Sequence, residues 1–346
     1  MRTELATQPN LPRRQLLAAV SLVAAAVALP GFAAAAAPTV NEQGAQTMRS
    51  VQFPNNGVTM AGNVFLPPGF DASRKYQTIV VVHPGGGVKE QTAGLYAQRL
   101  AQQGFVTLAF DASHQGASGG MPRFLDDPMK RVGDIYSAVD YLTTLPYVDA
   151  ARIGALGICA GSGHTIKATT TDRRIKAVAV VSAVDVGAAS RKGWEGKGTV
   201  QDQIAGLEAA ANQRTAEAAG GAPIYVPYVP AVGDKTAPLD LQEAADYYLT
   251  PRGQHPNAPN RMLLTSTNFA MAYTGFDRVE DLLTQPVMII AGSKAGSLWH
   301  SQELFAKAPG PKELFLVEGA THMDLYDGDG VGVAMGKLPP FFTRQL

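Results

Sequence analysis

The five-residue segment Gly157–Gly161, GICAG, constrains the fold of this chain more than any other stretch. It follows the apolar run 152–156 and precedes a predicted helix over 162–171. Glycines two residues before and after a central residue suit a very sharp strand-to-helix turn, because side chains at those positions would collide with the turn. The central residue is then held in a strained backbone conformation. The pattern therefore predicts a strand, a sharp turn that presents Cys159 above a sheet edge, and a helix.

Cys159 is the only cysteine in the chain, so no internal disulfide can form. A cysteine attacks as its thiolate, and the start of a helix favours negative charge there. We interpret Cys159 as a nucleophile whose pKa is lowered by the helix and by a nearby histidine. The alternative is that Cys159 is a small core residue. Ser162 is a weaker candidate nucleophile, because it has Ala160 two residues before it and lies within the predicted helix.

Strand and helix patterns alternate along most of the chain. A hairpin with an Asn-Gly turn is predicted over 50–66. Apolar, β-branched runs typical of strands buried on both faces follow, at 77–82, 105–110, 152–156, 175–181, 286–292 and 313–317. Helical spacing separates them, and a last helix is predicted over 331–342, which Pro339 and Pro340 can interrupt. The alternation predicts an α/β fold with a mostly parallel twisted sheet flanked by helices.

The alternation stops between residues 187 and 284. This stretch contains two predicted helices and a Pro/Gly-rich segment, and no strand like those before it. We interpret it as a largely helical cap insertion between a first core segment, 38–186, and a second, 285–346. The alternative is a peripheral helical extension that does not contact the site.

Residues 1–37 have the pattern of a signal peptide. Arg13 and Arg14 precede an apolar run, and small residues at 33–37 resemble a cleavage site. The paired arginines indicate the twin-arginine export route, although Pro12 stands where a serine or threonine is usual. A membrane anchor is the alternative, but the apolar run is shorter than the ~20 residues needed for a span. We therefore expect an exported protein, periplasmic or extracellular, with no stable membrane insertion after cleavage.

Composition excludes several partners. The chain of 346 residues has 29 basic and 29 acidic residues, so its formal charge gives no sign of binding to nucleic acid. The Gly-rich segment 85–87 lacks the Gly-Lys-Ser/Thr ending of a nucleotide-binding P-loop. No residue cluster has the spacing of a metal site. The expected partner is a small-molecule substrate, with no cofactor and no metal, and the oligomeric state is left open.

Several segments in order resemble the dienelactone hydrolase-like branch of the α/β-hydrolase superfamily. They are His83-Pro84 with 86–91, Phe110-Asp111-Ala112-Ser113 with Gly116, Gly157-Ile158-Cys159, and Gly319-Ala320-Thr321-His322. The chain is similar to a group of bacterial hydrolases related to fungal polyketide transferases. The resemblance implies an α/β-hydrolase fold and a cysteine nucleophile in a Gly-x-Cys-x-Gly turn. It also implies an acid after the seventh strand, and this sequence departs from the family there.

A nucleophilic hydrolase also needs a base and an acid that orients it. His322 follows the last predicted strand and is the candidate base. The loop after 292 has no carboxylate at Lys294 through Ser297. Asp185, after the sixth strand, is therefore our candidate acid. Glu303 is a weaker candidate, and a Cys–His pair without a carboxylate is the third alternative.

Oxyanion stabilisation requires two backbone N–H groups aimed at one point. The residue after the nucleophile, Ala160, and Gly85 in the Gly-rich loop are the candidates. The leading hypothesis is an exported hydrolase that cleaves a carboxylic ester, thioester or lactone through an acyl-Cys159 intermediate. The alternatives are acyl transfer at the same site, and a non-catalytic binding or thiol-sensing protein.

Overall fold

The computed structural model describes residues 47–346, and the predicted signal peptide lies outside this range. Eight of the ten strands in this part of the chain form one sheet in the order β1-β2-β4-β3-β5-β6-β9-β10, while β7 and β8 form a separate pair. The strands are β1 Met48–Asn55, β2 Val58–Phe65, β3 Tyr76–Val82, β4 Val106–Phe110, β5 Val148–Ile158, β6 Ile175–Val181, β7 Tyr225–Val226, β8 Met262–Leu263, β9 Val287–Gly292 and β10 Lys312–Val317.

The sheet is mostly parallel, as predicted. Strands β1, β2 and β4 are paired antiparallel, and the pairs from β4 through β3, β5, β6 and β9 to β10 are parallel. The β1–β2 hairpin turns at Asn56 and Gly57, whose φ angles of 45° and 85° are both positive. Such a turn matches the twist of the flanking strands and favours the Asn-Gly pair found here.

Eleven α-helices accompany the strands in the described part of the chain. They are α1 Thr92–Ala101, α2 Pro128–Thr143, α3 Ala160–Thr171, α4 Val186–Lys192, α5 Val200–Ala218, α6 Leu239–Leu249, α7 Ser266–Ala272, α8 Val279–Leu282, α9 Leu298–Lys307, α10 Asp329–Met335 and α11 Leu338–Gln345. The helix predicted over 331–342 is two helices. Pro339 lies in the first turn of α11, where a missing N–H removes no helical hydrogen bond.

The sheet is buried on both faces. Ile79 and Val81 of β3 belong to one hydrophobic cluster, and Val80 and Val82 belong to another on the opposite face. This alternation explains why the parallel strands are continuous apolar runs. Burying each such side chain contributes about 1.5 to 3 kcal/mol.

The segment between β6 and β9 contains α4 to α8 and only the two-residue strands β7 and β8. Its residues reach the carboxyl end of the parallel strands, where Tyr228 packs against Gly85 and Gly86 and where Asp240 bonds to His322. Within residues 47–346, no helix has the length and apolar character needed to cross a membrane.

Candidate active site

The turn between β5 and α3 holds Cys159 in a strained conformation, with φ of 52° and ψ of −123°. Both flanking glycines are sterically required. A Cβ at Gly157 would stand 2.6 Å from the carbonyl oxygen of Gly161, and one at Gly161 would stand 2.4 Å from that of Val82. The local structure is the sharp strand-to-helix turn that the sequence predicts, and Cys159 is the residue it presents.

Gly85 and Ala160 lie beside the sulfur of Cys159. Both residues line one cavity with Cys159, and their backbone N–H groups act to lower the pKa of its thiol. They come from different elements, since Gly85 follows β3 and Ala160 begins α3. The structure therefore brings together Cys159 and the two residues that the sequence predicts as oxyanion donors.

A buried arginine supports the loop that carries Gly85. Arg131 of α2 is 3% exposed, and its Nη2 donates to the carbonyl oxygen of His83 at 2.8 Å. The backbone N–H of Ala112 donates to His83 Nε2, so Nδ1 carries the ring proton and donates to Pro84 O. Burial lowers the pKa of His83 well below its ordinary value. His83 is therefore a neutral structural support of the loop.

His322 follows β10 and lies in the same cavity as Cys159. Its Nδ1 is 2.6 Å from Ser297 Oγ, and its Nε2 is 3.4 Å from the hydroxyl of Tyr326. Burial lowers the pKa of His322 to about 4, and the charge of Asp240 opposes this shift. No hydrogen bond within residues 47–346 joins the ring of His322 directly to the Cys159 sulfur.

The structure contradicts the expectation that Asp185 is the acid that orients His322. Its Oδ1 accepts from the N–H groups of Gly187 and Ala188 as the N-cap of α4. Its Oδ2 accepts from the N–H groups of Gly275 and Phe276. The carboxylate is 2% exposed and is occupied by these backbone donors. Asp185 joins α4 to the segment before α8, and it forms no hydrogen bond to His322.

The weaker candidate acid, Glu303, and the weaker candidate nucleophile, Ser162, do not line the cavity of Cys159 and His322. Glu303 lies on α9 and forms an ion pair with Lys307 at 3.0 Å. Ser162 is fully buried, and its hydroxyl donates to the carbonyl oxygen of Gly157 at 3.0 Å. Ser162 therefore stabilises the turn beneath Cys159.

The carboxylate that interacts with His322 is Asp240, the second residue of α6. Its Oδ1 accepts from the backbone N–H of His322 at 3.3 Å. Its Oδ2 accepts from Trp194 Nε1 at 2.8 Å and from the N–H of Gly296 at 2.7 Å. Asp240 therefore joins α6, the loop after β9 and the loop after β10. Sequence reasoning missed it because it lies about 80 residues before His322, inside the segment read as an insertion.

The expected lowering of the Cys159 pKa is wrong. Burial raises the pKa of the thiol, although hydrogen bonds from Tyr326, Ala160 and Gly85 and the charge of Arg131 all favour the thiolate. Desolvation penalises the charged form and outweighs the donors at the start of α3. At neutral pH the resting site therefore holds a protonated thiol and a neutral histidine.

Cys159 and His322 face a cavity of about 310 Å³ beneath the segment that joins β6 to β9. Tyr228 and Tyr248 of that segment also line it. Most of the other lining residues are apolar, among them Val184, Val186, Leu241, Ala244, Met262 and Ala270, and the carboxylates of Asp126 and Asp240 also line it. Such a pocket accommodates an uncharged, apolar group. Among residues 47–346, no group of three or more His, Cys, Asp and Glu side chains is arranged to hold a metal ion.

Comparison with known proteins agrees with this architecture. The sequence matches the Dienelactone hydrolase family over residues 60–218. It is 48% identical over 301 residues to the uncharacterised protein YcjY of Escherichia coli (strain K12), covering 86% of this chain and 98% of YcjY. A thiohydrolase of Eupenicillium brefeldianum is 26% identical over 304 residues, covering 86% of this chain and 94% of the fungal protein.

The crystal structure of the hypothetical protein PA2218 from Pseudomonas aeruginosa superimposes with a TM-score of 0.81 at 36% identity, covering 86% of this chain and 94% of PA2218. The resemblance inferred from the sequence motifs is thereby confirmed. The chain belongs to the dienelactone hydrolase family, and it is a hydrolase-like enzyme with an α/β-hydrolase fold.

Proposed function

We propose that this protein is a cysteine-dependent hydrolase of a carboxylic ester, thioester or lactone. One observation carries the proposal: Cys159 stands on a strained turn and lines one cavity together with Gly85, Ala160 and His322. The backbone N–H groups of Gly85 and Ala160 can hold the oxygen of a substrate carbonyl when its carbon lies at the sulfur. His322 in the same cavity supplies the base.

Because the resting thiol is protonated, attack needs general-base assistance. As the S–C bond forms, the S–H proton is transferred towards His322 Nε2 and the carbonyl π electrons move to oxygen. When the tetrahedral intermediate collapses, the C–O or C–S bond to the leaving group breaks, and the leaving group takes the proton from His322. His322 then accepts a proton from water, and the resulting hydroxide releases the acid from Cys159, whose sulfur is reprotonated.

Two groups orient the base. Ser297 Oγ, 2.6 Å from His322 Nδ1, takes the place that a carboxylate occupies in many nucleophilic hydrolases. In neutral His322, an N–H at Nδ1 that donates to Ser297 leaves the Nε2 lone pair free to accept a proton. The negative charge of Asp240 favours the imidazolium that forms during attack.

The lining of the cavity indicates the acyl group. Its apolar residues favour an uncharged hydrocarbon chain over a charged one. Residues 187–284 supply Tyr228, Asp240 and Tyr248 to the cavity, so we infer that this segment caps the site. The name of the fungal relative, a thiohydrolase, adds weight to a thioester among the three bond types.

The direct test is hydrolysis of p-nitrophenyl esters and matched thioesters with acyl chains of increasing length. We expect Cys159→Ala and His322→Ala to lose activity by at least about 1,000-fold. Glu303→Gln is the matched control, because Glu303 contacts Lys307 on α9 and should leave the rate unchanged. Full activity in both site variants would exclude this function.

Intact-mass spectrometry separates the alternatives. With a slowly deacylated ester, a hydrolase should accumulate an acyl adduct on wild-type protein, and Cys159→Ala should not. A protein that binds the ester and neither forms an adduct nor releases the acid would be non-catalytic. If an added alcohol or amine intercepts the acyl group faster than water does, the protein is a transferase.

We further infer that residues 1–37 direct export by the twin-arginine route. The support is Arg13 and Arg14 ahead of the apolar run. A folded fluorescent reporter fused to this leader should reach the periplasm. Replacing both arginines with lysine keeps the charge and should hold the reporter in the cytoplasm, and export of that variant would contradict the route.

A further inference from the structure

Tyr326 lies between the candidate nucleophile and the candidate base. It is four residues after His322, past the 3-10 turn Met323–Leu325. Its hydroxyl is 3.4 Å from His322 Nε2, and its side chain lines the same cavity as Cys159, where it acts to lower the pKa of the thiol. Since no direct bond joins Cys159 to His322 within residues 47–346, this hydroxyl is the group placed to connect them.

We propose that Tyr326 is a further catalytic residue, whose hydroxyl relays the proton from Cys159 to His322. This inference rests on the proposed function. The thiol S–H proton passes to Tyr326 Oη, and the hydroxyl proton passes to His322 Nε2. The electron pair released on sulfur forms the bond to the substrate carbon. Tyr326 ends as it began, a neutral hydroxyl, and His322 ends as the imidazolium.

The packing around Tyr326 fixes its ring for such a role. The side chain is 2% exposed, and Tyr247 and Tyr248 pack edge-on against it with ring centroids 5.4 and 6.3 Å away. Thr92 Oγ1 donates to its backbone carbonyl oxygen at 3.0 Å. The ring is therefore held in place, with its hydroxyl beside His322 Nε2.

The protonation states agree with a relay. Burial raises the pKa of Tyr326 well above its ordinary value, so the hydroxyl keeps its proton. A neutral hydroxyl accepts one hydrogen bond while donating another, as a relay requires. A neutral His322 that donates from Nδ1 to Ser297 presents an acceptor at Nε2.

Tyr247 provides a matched control. Its ring packs edge-on against that of Tyr326, and its side chain does not line the cavity that holds Cys159 and His322. Tyr247→Phe removes a neighbouring tyrosine hydroxyl and keeps this ring packing.

The experiment compares Tyr326→Phe, Tyr247→Phe and wild type in mature protein. The acylation rate is measured as the burst of p-nitrophenol from a p-nitrophenyl ester. We expect Tyr326→Phe to slow acylation by about 100-fold, the lower end of what general acid–base catalysis contributes, and Tyr247→Phe to have less than about a 10-fold effect.

The dependence on solvent deuterium fraction provides a readout that a structural role would not change. If two protons move in the rate-limiting step of acylation, the plot of acylation rate against deuterium fraction should be curved for wild type. For Tyr326→Phe, in which one proton moves, the plot should be linear. A linear wild-type plot overturns the relay, even if Tyr326→Phe fails to fold. An unchanged rate in a folded Tyr326→Phe also overturns it, while loss of activity in Cys159→Ala and His322→Ala would keep the proposed function intact.

Discussion

Ser297 Oγ lies 2.6 Å from Nδ1 of His322, so a neutral hydroxyl contacts the ring nitrogen opposite the one beside Tyr326. Ser297 is buried in the loop after β9 and forms no cap bond to α9, although it is the first residue before that helix. Its hydroxyl is therefore available to hydrogen-bond to His322. The negative charge comes instead from Asp240, which bonds to the backbone of His322 and not to its ring.

We predict that Ser297→Ala lowers kcat/KM by about 10-fold, because the ring tautomer with its proton on Nδ1 loses its acceptor. Nitrogen-15 NMR should show a larger fraction of His322 protonated at Nε2. Ser293→Ala is the control, since Ser293 lies in the same loop and its Oγ accepts from Gly319 N. A variant at Ser297 with wild-type kinetics and tautomer would remove Ser297 from the mechanism.

Asp240→Asn should lower the pKa of His322 below about 4, because in the wild-type protein the charge of Asp240 opposes the effect of burial on that pKa. The acid limb of the kcat/KM profile should move to lower pH. The plateau should fall by about 10-fold, since a weaker base accepts the thiol proton less readily. Asp234→Asn, on the exposed loop before α6, is the control and should leave the profile unchanged. An acid limb that moves to higher pH would contradict this role.

Much of the site's framework could be predicted from local sequence patterns. The turn at Cys159 requires glycine at 157 and 161 for steric reasons, and the buried strands are continuous apolar runs. The candidate oxyanion donors Gly85 and Ala160 are predicted from the positions at which the third strand and the turn end. These features depend on short segments whose structure is set by nearby residues.

The surroundings of His322 could not be predicted in the same way. Asp240 comes from α6 and reaches His322 only through tertiary packing. Ser297 lies in the loop after β9, where the family resemblance implies an acid, but a serine hydroxyl there gives no sign in the sequence of a contact with His322. The Cys159 pKa also depends on depth of burial, which a helix start in the sequence does not reveal. Tyr326 carries one local signal, its spacing of four residues from His322.

The stability of the protein should fall as the pH drops below about 6.5, the value at which an unfolded histidine gains a proton. Folded His322 binds that proton only near pH 4, and folded His300 only near pH 3, mainly because both are buried. Between these values the unfolded state holds more protons, so stability present at neutral pH is lost as pH falls, at up to about 1.4 kcal/mol per pH unit for each histidine. Burial also lowers the pKa values of His83 and His164 well below the ordinary value, so they add to the effect. Asp134, whose pKa burial raises to about 6, acts in the opposite direction.

Urea unfolding at pH 7.5, 6.5 and 5.5 measures this slope. His300→Asn should reduce the change of unfolding free energy with pH by the contribution of one histidine. The variant should still fold, because an asparagine oxygen can accept from Asp185 N as His300 Nδ1 does. Equal unfolding free energies at pH 7.5 and 5.5 would contradict the prediction.

Asp185→Ala should destabilise the protein by about 2 to 4 kcal/mol, because it removes a helix cap and leaves buried N–H groups without acceptors. The folded fraction should retain its kcat within about threefold, since Asp185 does not contact His322. Thermal unfolding and kinetics on the same sample separate the two effects. Asp185→Asn keeps one acceptor oxygen and should recover part of the stability. A loss of about 1,000-fold in kcat without loss of stability would restore Asp185 as the catalytic acid.

Gly161→Ala should damage both fold and activity. The new Cβ would stand 2.4 Å from Val82 O and 2.8 Å from His83 O, so the loop that carries Gly85 must shift. We expect a loss of about 1 to 3 kcal/mol in unfolding free energy, and about 100-fold in kcat/KM from a displaced oxyanion donor. Gly332→Ala is the matched control, because no heavy atom lies within 4 Å of its Cβ position. Because position 332 is exposed and lies inside α10, Gly332→Ala should raise the unfolding free energy by about 0.5 to 1 kcal/mol and leave the kinetics unchanged. If Gly161→Ala keeps wild-type kcat/KM, the position of Gly85 relative to Cys159 does not limit the reaction.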